Sequence, residues 1–108
     1  MVGVPYRFGG STPRGFDCSG LAQYAYASAG ITIPRISTDQ YRASQAVQRR
    51  EMAVGDLLFF DTEWRRGHVG IYIGGGRFVH APSSGGQVTV AAIDAHYYRN
   101  RLVRVGRF

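Results

Sequence analysis

From Cys18 to Ala29 the apolar positions Leu21, Ala22, Tyr24, Ala25 and Ala29 recur at roughly helical spacing, which predicts a helix over residues 18–29. Asp17 or Ser19 stands where a side-chain oxygen would cap the first turn, and Gly30 stands where a left-handed residue would end the last. Pro34 breaks any continuation, and residues 37–46 read as a second, short helix capped by Ser37 or Thr38. From Asp56 onward the period becomes that of strands. Residues 57–60, 69–73, 77–80 and 87–90 are short, β-rich and separated by glycine, proline or serine; residues 94–99 read as a helical turn and 102–105 as a last strand. Connections this short imply antiparallel neighbours, and Gly74-Gly75-Gly76 is a hairpin turn in which positive φ is available at each position. Helices first and strands afterwards predict an α+β domain, with N-terminal helices packed on a single antiparallel β-sheet.

The chain has 108 residues and no internal repeat, linker or low-complexity segment, so residues 1–108 are expected to form one domain that needs no disulfide framework. A single cysteine cannot form an internal bridge and says little about redox compartment. No apolar run approaches the roughly 20 residues of a membrane span. No basic-then-apolar leader precedes Gly3-Val4-Pro5, so either the protein stays inside the cell or a targeting segment has been removed; Met1 directly abutting the first loop favours removal. The formal net charge is +6, and all thirteen basic residues are arginine, the side chain best matched to carboxylate and phosphate. These arginines are scattered, with no dense tract and no zinc, RNP or KH signature, which argues against nucleic acid and leaves other anionic polymers as partners.

Candidate chemistry centres on Cys18, in Phe16-Asp17-Cys18-Ser19-Gly20-Leu21. A free cysteine most often packs as a small hydrophobe. Here polar neighbours frame it, Gly20 leaves the first turn open, and the unpaired N–H groups of a helix start favour the thiolate. Folding the glycine hairpin puts His68 and His80 near the same end of adjacent strands, within about a residue of register. Alternation sends Val69, Ile71 and Ile73 to one face, and His68 and Tyr72 to the other. Either histidine alone is more often structural; two together with a helix-start thiol point to cysteine peptidase chemistry. His68 would accept or hold the thiol proton while the thiolate attacks an amide carbonyl, and His80 would orient His68 and fix its tautomer. The Cys18 N–H and the Tyr6 hydroxyl are candidate oxyanion donors. Metal-ligand spacing is absent, so no metal and no cofactor are expected. His96 is expected on the surface beside Tyr97 and Tyr98, outside the chemistry. Trp64-Arg65-Arg66, before His68, either shapes specificity or is simply exposed.

Five stretches in order, Val4-Pro5-Tyr6-Arg7-Phe8-Gly9-Gly10, Phe16-Asp17-Cys18-Ser19-Gly20-Leu21, Val54-Gly55-Asp56-Leu57-Leu58-Phe59-Phe60, Gly67-His68-Val69-Gly70-Ile71-Tyr72-Ile73-Gly74 and Phe78-Val79-His80-Ala81, resemble the successive motifs of the NlpC/P60 cell-wall peptidases. The chain looks most like the compact Gram-negative murein endopeptidases of the Spr and NlpC lipoprotein type. The resemblance implies a papain-like fold, Cys18 as nucleophile, His68 as base and His80 as the polar third member. It also implies substrate contacts from Tyr6, Asp17 and Ser19 and from Arg35, Ser37 and Gln40 in the loop beginning at Pro34, although Asp17 and Ser37 can equally be helix caps and Gln40 a loop tie. The implied reaction is cofactor-free hydrolysis of peptidoglycan peptide stems or cross-links through a thioester, at γ-D-glutamyl–diaminopimelate or D-alanyl–diaminopimelate bonds. The implied setting is a monomer in the bacterial envelope, in the periplasm or on a precursor lipid anchor ahead of Met1, or secreted. A catalytically silent wall-binding module and a thioester acyltransferase are the alternatives. Val54 departs from the proline that the family usually places before Gly55-Asp56, and the helix that often precedes the first motif is missing from this chain.

Overall fold

In the computed structural model, which describes residues 2–61, 68–82, 86–95 and 97–108, the first predicted helix forms as α1 (Cys18–Ser28). Asp17 is its N-cap, extended in backbone and accepting the Gly20 N–H at 2.7 Å. At the other end Gly30 takes φ +82°, its N–H bonds the Ala27 carbonyl, and the Ile31 N–H bonds that of Tyr26. These two bonds satisfy carbonyls that a helix end would otherwise leave open.

The second helix, α2 (Ser37–Ala43), stops short of the predicted span. Ile36, not Ser37 or Thr38, occupies its N-cap, no side chain caps the first turn, and Ser37 is a buried helical residue. The expected last turn is instead lost to β3 (Gln45–Val47), an edge strand paired with the chain's final strand. Ladder bonds to a distant partner outweigh helix propensity in so short a polar segment.

The remaining sheet strands are β4 (Leu57–Phe60), β5 (His68–Gly74), β6 (Arg77–His80), β7 (Thr89–Ala92) and β8 (Leu102–Arg107). With β3 they form one six-stranded antiparallel sheet in the order β3-β8-β4-β5-β6-β7. A separate two-stranded ribbon, β1 (Ser11–Thr12) and β2 (Gly15–Phe16), lies ahead of α1, an addition to the single sheet expected. The predicted strand at 87–90 lies two residues later because Gln87 and Val88 are taken up by the N-terminal segment: Pro5 bridges Gln87, and Val88 exchanges backbone bonds with Gly3 and Val4. Among the described residues of the span 94–99, the Tyr98 and Arg99 N–H groups both bond the Ala95 carbonyl, a single turn as expected there.

All four residues of β4 are buried, which explains its unbroken apolar run. Leu57 and Phe59 pack on the α1 side with Cys18, Ala22, Ile33 and Val69. Leu58 and Phe60 pack on the opposite side with Phe78, Ile93 and Val105. Each such phenylalanine or leucine contributes about 1.5–3 kcal/mol through burial, so β4 is the fixed wall against which the helix start and β5 are both located.

Candidate active site

One end of the sheet collects the start of α1, the end of β4, the start of β5 and the end of β6. In the β5–β6 ladder Gly70 lies opposite His80, so His68 is two residues beyond the facing position, rather than about one, and on the same face. The bulge between Tyr72 and Gly74 sets this register: carried on unshifted from the Gly74–Arg77 pair, the ladder would put Ile71 opposite His80 and leave His68 farther still from the facing position. The missing side chain at Gly70 matters: a Cβ there would stand 2.6 Å from the Phe78 ring and 3.3 Å from His80 Cβ. Across this gap the histidines meet diagonally, with His68 Nε2 to His80 Nδ1 at 2.7 Å and rings 5.0 Å apart at 72°. Val69 lies on the other face, in the same buried cluster as Cys18.

His80 is enclosed by aromatic rings, Phe78 at 4.7 Å and Tyr98 at 5.4 Å, while the Phe60 ring lies 6.3 Å from that of His68. Burial pushes the His80 pKa down to about 4, so at neutral pH the ring is uncharged. An uncharged imidazole offers one acceptor and one donor nitrogen. If Nδ1 is the acceptor, His68 Nε2 is the donor, a tautomer that turns His68 Nδ1 to other work.

Cys18 is buried as the first residue of α1, and its position depends on the cap beside it. The buried Asp17 carboxylate accepts from the N–H groups of Gly20 at 2.7 Å and Gly9 at 3.1 Å, and from both terminal nitrogens of Arg35 at 3.1 and 3.0 Å. Burial acts to raise the Asp17 pKa, but the hydrogen bonds from Arg35 and Gly20, the Arg35 charge and the Gly9 bond outweigh it and hold the carboxyl below its ordinary 3.8. Arg35 also donates to Ser19 Oγ at 3.0 Å and to the Gly10 carbonyl at 3.3 Å. Gly10 lies against the first turn so closely that a Cβ on Gly20 would be 2.0 Å from its carbonyl oxygen. Gln40, fully buried, spends its amide N–H groups on the Ser19 carbonyl at 3.0 Å and the Pro34 carbonyl at 2.8 Å.

The structure therefore separates the expected substrate contacts by position. Asp17, Ser19 and Gln40 are buried and bonded to one another or to backbone around the start of α1. Ser37 is buried at the start of α2. Arg35 keeps a third of its side chain exposed. Tyr6 is half-buried, bridged to Phe16 and tied through its N–H to the Gly86 carbonyl. Trp64-Arg65-Arg66 and His96 lie outside the described residues. Sequence reasoning missed the aromatic enclosure and the gap at Gly70. A glycine inside an otherwise β-branched strand is a readable signal of close approach, whereas nothing local marks Tyr98 as a neighbour of His80.

This arrangement, a helix that begins at a cysteine and packs on an antiparallel sheet bearing the histidines, is papain-like. The chain is 41% identical to the murein DD-endopeptidase MepH of Escherichia coli over 99% of its own length and 42% of that protein's. It is 42% identical to the bifunctional muramidase/DL-endopeptidase CwlT of Bacillus subtilis over 97% of its own length and 32% of that protein's. It thus spans less than half the length of these curated relatives. A crystal structure of an NlpC/P60 family protein from Bacillus cereus superposes with a TM-score of 0.91 at 36% identity, covering 100% of this chain and 36% of that one. The profile described as "NlpC/P60 family" matches residues 3–107, and the chain belongs to that family.

Proposed function

We propose that this chain is the catalytic domain of a cysteine peptidase that hydrolyses the peptide stems or cross-links of peptidoglycan. The observation that carries the reading is the buried His68–His80 hydrogen bond at the end of the sheet where Cys18 opens α1. With His80 accepting from His68 Nε2, His68 Nδ1 takes the Cys18 proton, and the partial positive charge of the helix start favours the thiolate. The thiolate forms a C–S bond to the amide carbon, and the oxyanion that develops is met by the Cys18 N–H and the Tyr6 hydroxyl. The C–N bond then breaks, and the departing amine takes the proton from His68. Water next gives a proton to His68 as its oxygen bonds the carbonyl carbon, and the C–S bond breaks to release the acid.

In this reading His80 and the Asp17–Arg35–Ser19–Gln40 group act by positioning, the first on His68 and the second on the start of α1. Tyr6, Ser37 and the exposed edge of Arg35 are the substrate contacts. Both the γ-D-glutamyl–diaminopimelate and the D-alanyl–diaminopimelate bonds are substrates to test, since the similar proteins are named for different stem bonds. The substrate places the activity in the bacterial envelope or outside the cell, with one protomer holding a complete site and any lipid anchor carried by a preceding segment. Synthetic stem peptides with each bond, separated by chromatography after incubation, test the assignment. Cys18→Ala and His68→Ala are expected to abolish turnover, and His80→Ala to lower it by roughly 100-fold or more; undiminished cleavage by Cys18→Ala would overturn the reading.

A further inference from the structure

A cavity of about 490 Å³ opens between α2, the end of β4 and Val103 of β8. Thr38, Tyr41 and Arg42 line it from α2, and Phe59, Phe60 and Asp61 from the end of β4. Tyr41 is a fixed wall, packed edge-on against Phe59 at 5.3 Å with the Arg104 guanidinium 4.7 Å over its ring. Phe60 faces His68 across the β4–β5 ladder, and Phe59 shares the cluster that buries Cys18. Two wall residues of the cavity are thus neighbours of the reacting groups, Phe60 of His68 and Phe59 of Cys18, on the β4–β8 side.

Tyr6 lies on the other side, because its segment is tied to residues 86–88 next to β7. In the strand order β8-β4-β5-β6-β7 the histidines on β5 and β6 stand between the two. Adjacent strands are about 4.8 Å apart and an extended peptide advances about 3.3 Å per residue. A stem crossing the site therefore reaches the cavity within one or two residues of the bond that is cut.

The rim carries one cation and one anion. Arg42 and Asp61 are both exposed, and among the described residues neither takes part in an ion pair. A guanidinium matches a carboxylate in a two-bond fork, and a carboxylate accepts from an ammonium. Below them the aromatic floor suits methylene groups. We infer that this cavity reads a free amino-acid group, an ammonium and a carboxylate on one carbon, at the end of a stem residue's side chain, with Arg42 on its carboxylate and Asp61 on its ammonium. The inference rests on the peptidase reading and adds to it the groups that select the substrate.

The test uses three synthetic stems that differ only at that side chain: free diaminopimelate, its form with the distal carboxylate amidated, and its form with the distal amine acetylated. Wild type is expected to show kcat/KM about tenfold or more higher for the free form than for either other, the scale of one charge-assisted hydrogen bond. Arg42→Gln should bring the free-to-amidated ratio to about one, and Asp61→Asn the free-to-acetylated ratio to about one, while Arg50→Gln, an exposed arginine outside the cavity's lining, keeps both ratios. Equal wild-type rates on all three stems, or ratios unmoved by the two substitutions, would overturn the inference and leave the peptidase standing. Failure of wild type to cut any stem would overturn both.

Discussion

Two buried carboxylates stand at opposite ends of this sheet and are satisfied in the same way, yet they organise different things. Asp17 accepts backbone N–H groups and both arms of the Arg35 fork. Asp56 accepts the Ala53 N–H at 2.8 Å and two nitrogens of Arg107 at 2.8 and 2.9 Å. At the Asp17 end the bonds join three separate stretches of chain, the Gly9-Gly10 loop, the start of α1 and Arg35, around the residue next to Cys18. At the Asp56 end they close a turn before β4 and fasten the tail of β8. A cavity of about 320 Å³ lies there too, lined by side chains such as Tyr26, Ile31, Ile71 and Phe108. Neither cysteine nor histidine is among the described residues that line it. One local chemistry thus serves to aim a helix at one end and to hold a sheet together at the other.

The strongest way to break this comparison is to remove each carboxylate. Asp17→Ala and Asp56→Ala should each cost about 3 kcal/mol in denaturant unfolding, because each strands buried backbone donors and an arginine. Only the first should lower turnover per folded molecule. Loss of turnover in both would make the two ends equivalent.

Acid should act next, on two groups of the Asp17 end. The unfolded chain protonates a histidine near pH 6.5, whereas folded His80 resists until about pH 4. Stability from keeping His80 neutral is therefore complete above about pH 6.5 and falls by up to about 3 kcal/mol as the pH drops to about 4, then levels off. Asp17, held below 3.8, keeps its contribution above that value and loses it as the pH falls through its lower folded pKa. Unfolding free energies measured from about pH 7 to about pH 4 should slope in wild type and flatten in His80→Phe; equal slopes would remove His80 as the cause.

The smallest contrast is Arg→Lys. Arg35→Lys loses the fork that holds Asp17, Ser19 and Gly10 at once, and should lower turnover roughly five- to tenfold. Arg107→Lys, on a side chain nearly half exposed, should leave turnover unchanged. Steady-state kinetics on a single stem peptide resolves the difference.

What could be read from the sequence follows from how local each cause is. The start and end of α1 were legible because Asp17 and Gly30 act within a few residues of themselves. β4 was legible because burial on both faces leaves a plain apolar run. The β3 edge strand was not, since its partner is β8, about sixty residues onward, and Ser44-Gln45-Ala46 carries no strand signal of its own. At the site, the glycine hairpin brought the histidines together, while the bulge behind it, which sequence does not announce, set their final register. Asp17 remained open between cap and substrate contact. The structure turns its carboxylate inward as the cap, because Gly9, Gly20 and Arg35 converge on it from segments that only the fold brings together.

The most direct test of the central claim is digestion of purified peptidoglycan with wild type and with Cys18→Ala, followed by mass spectrometry of the soluble and muramidase-released peptides. The account predicts a new stem or cross-link cleavage product with wild type alone, whose mass names the bond. The same product from Cys18→Ala, or no product from either protein, would contradict it.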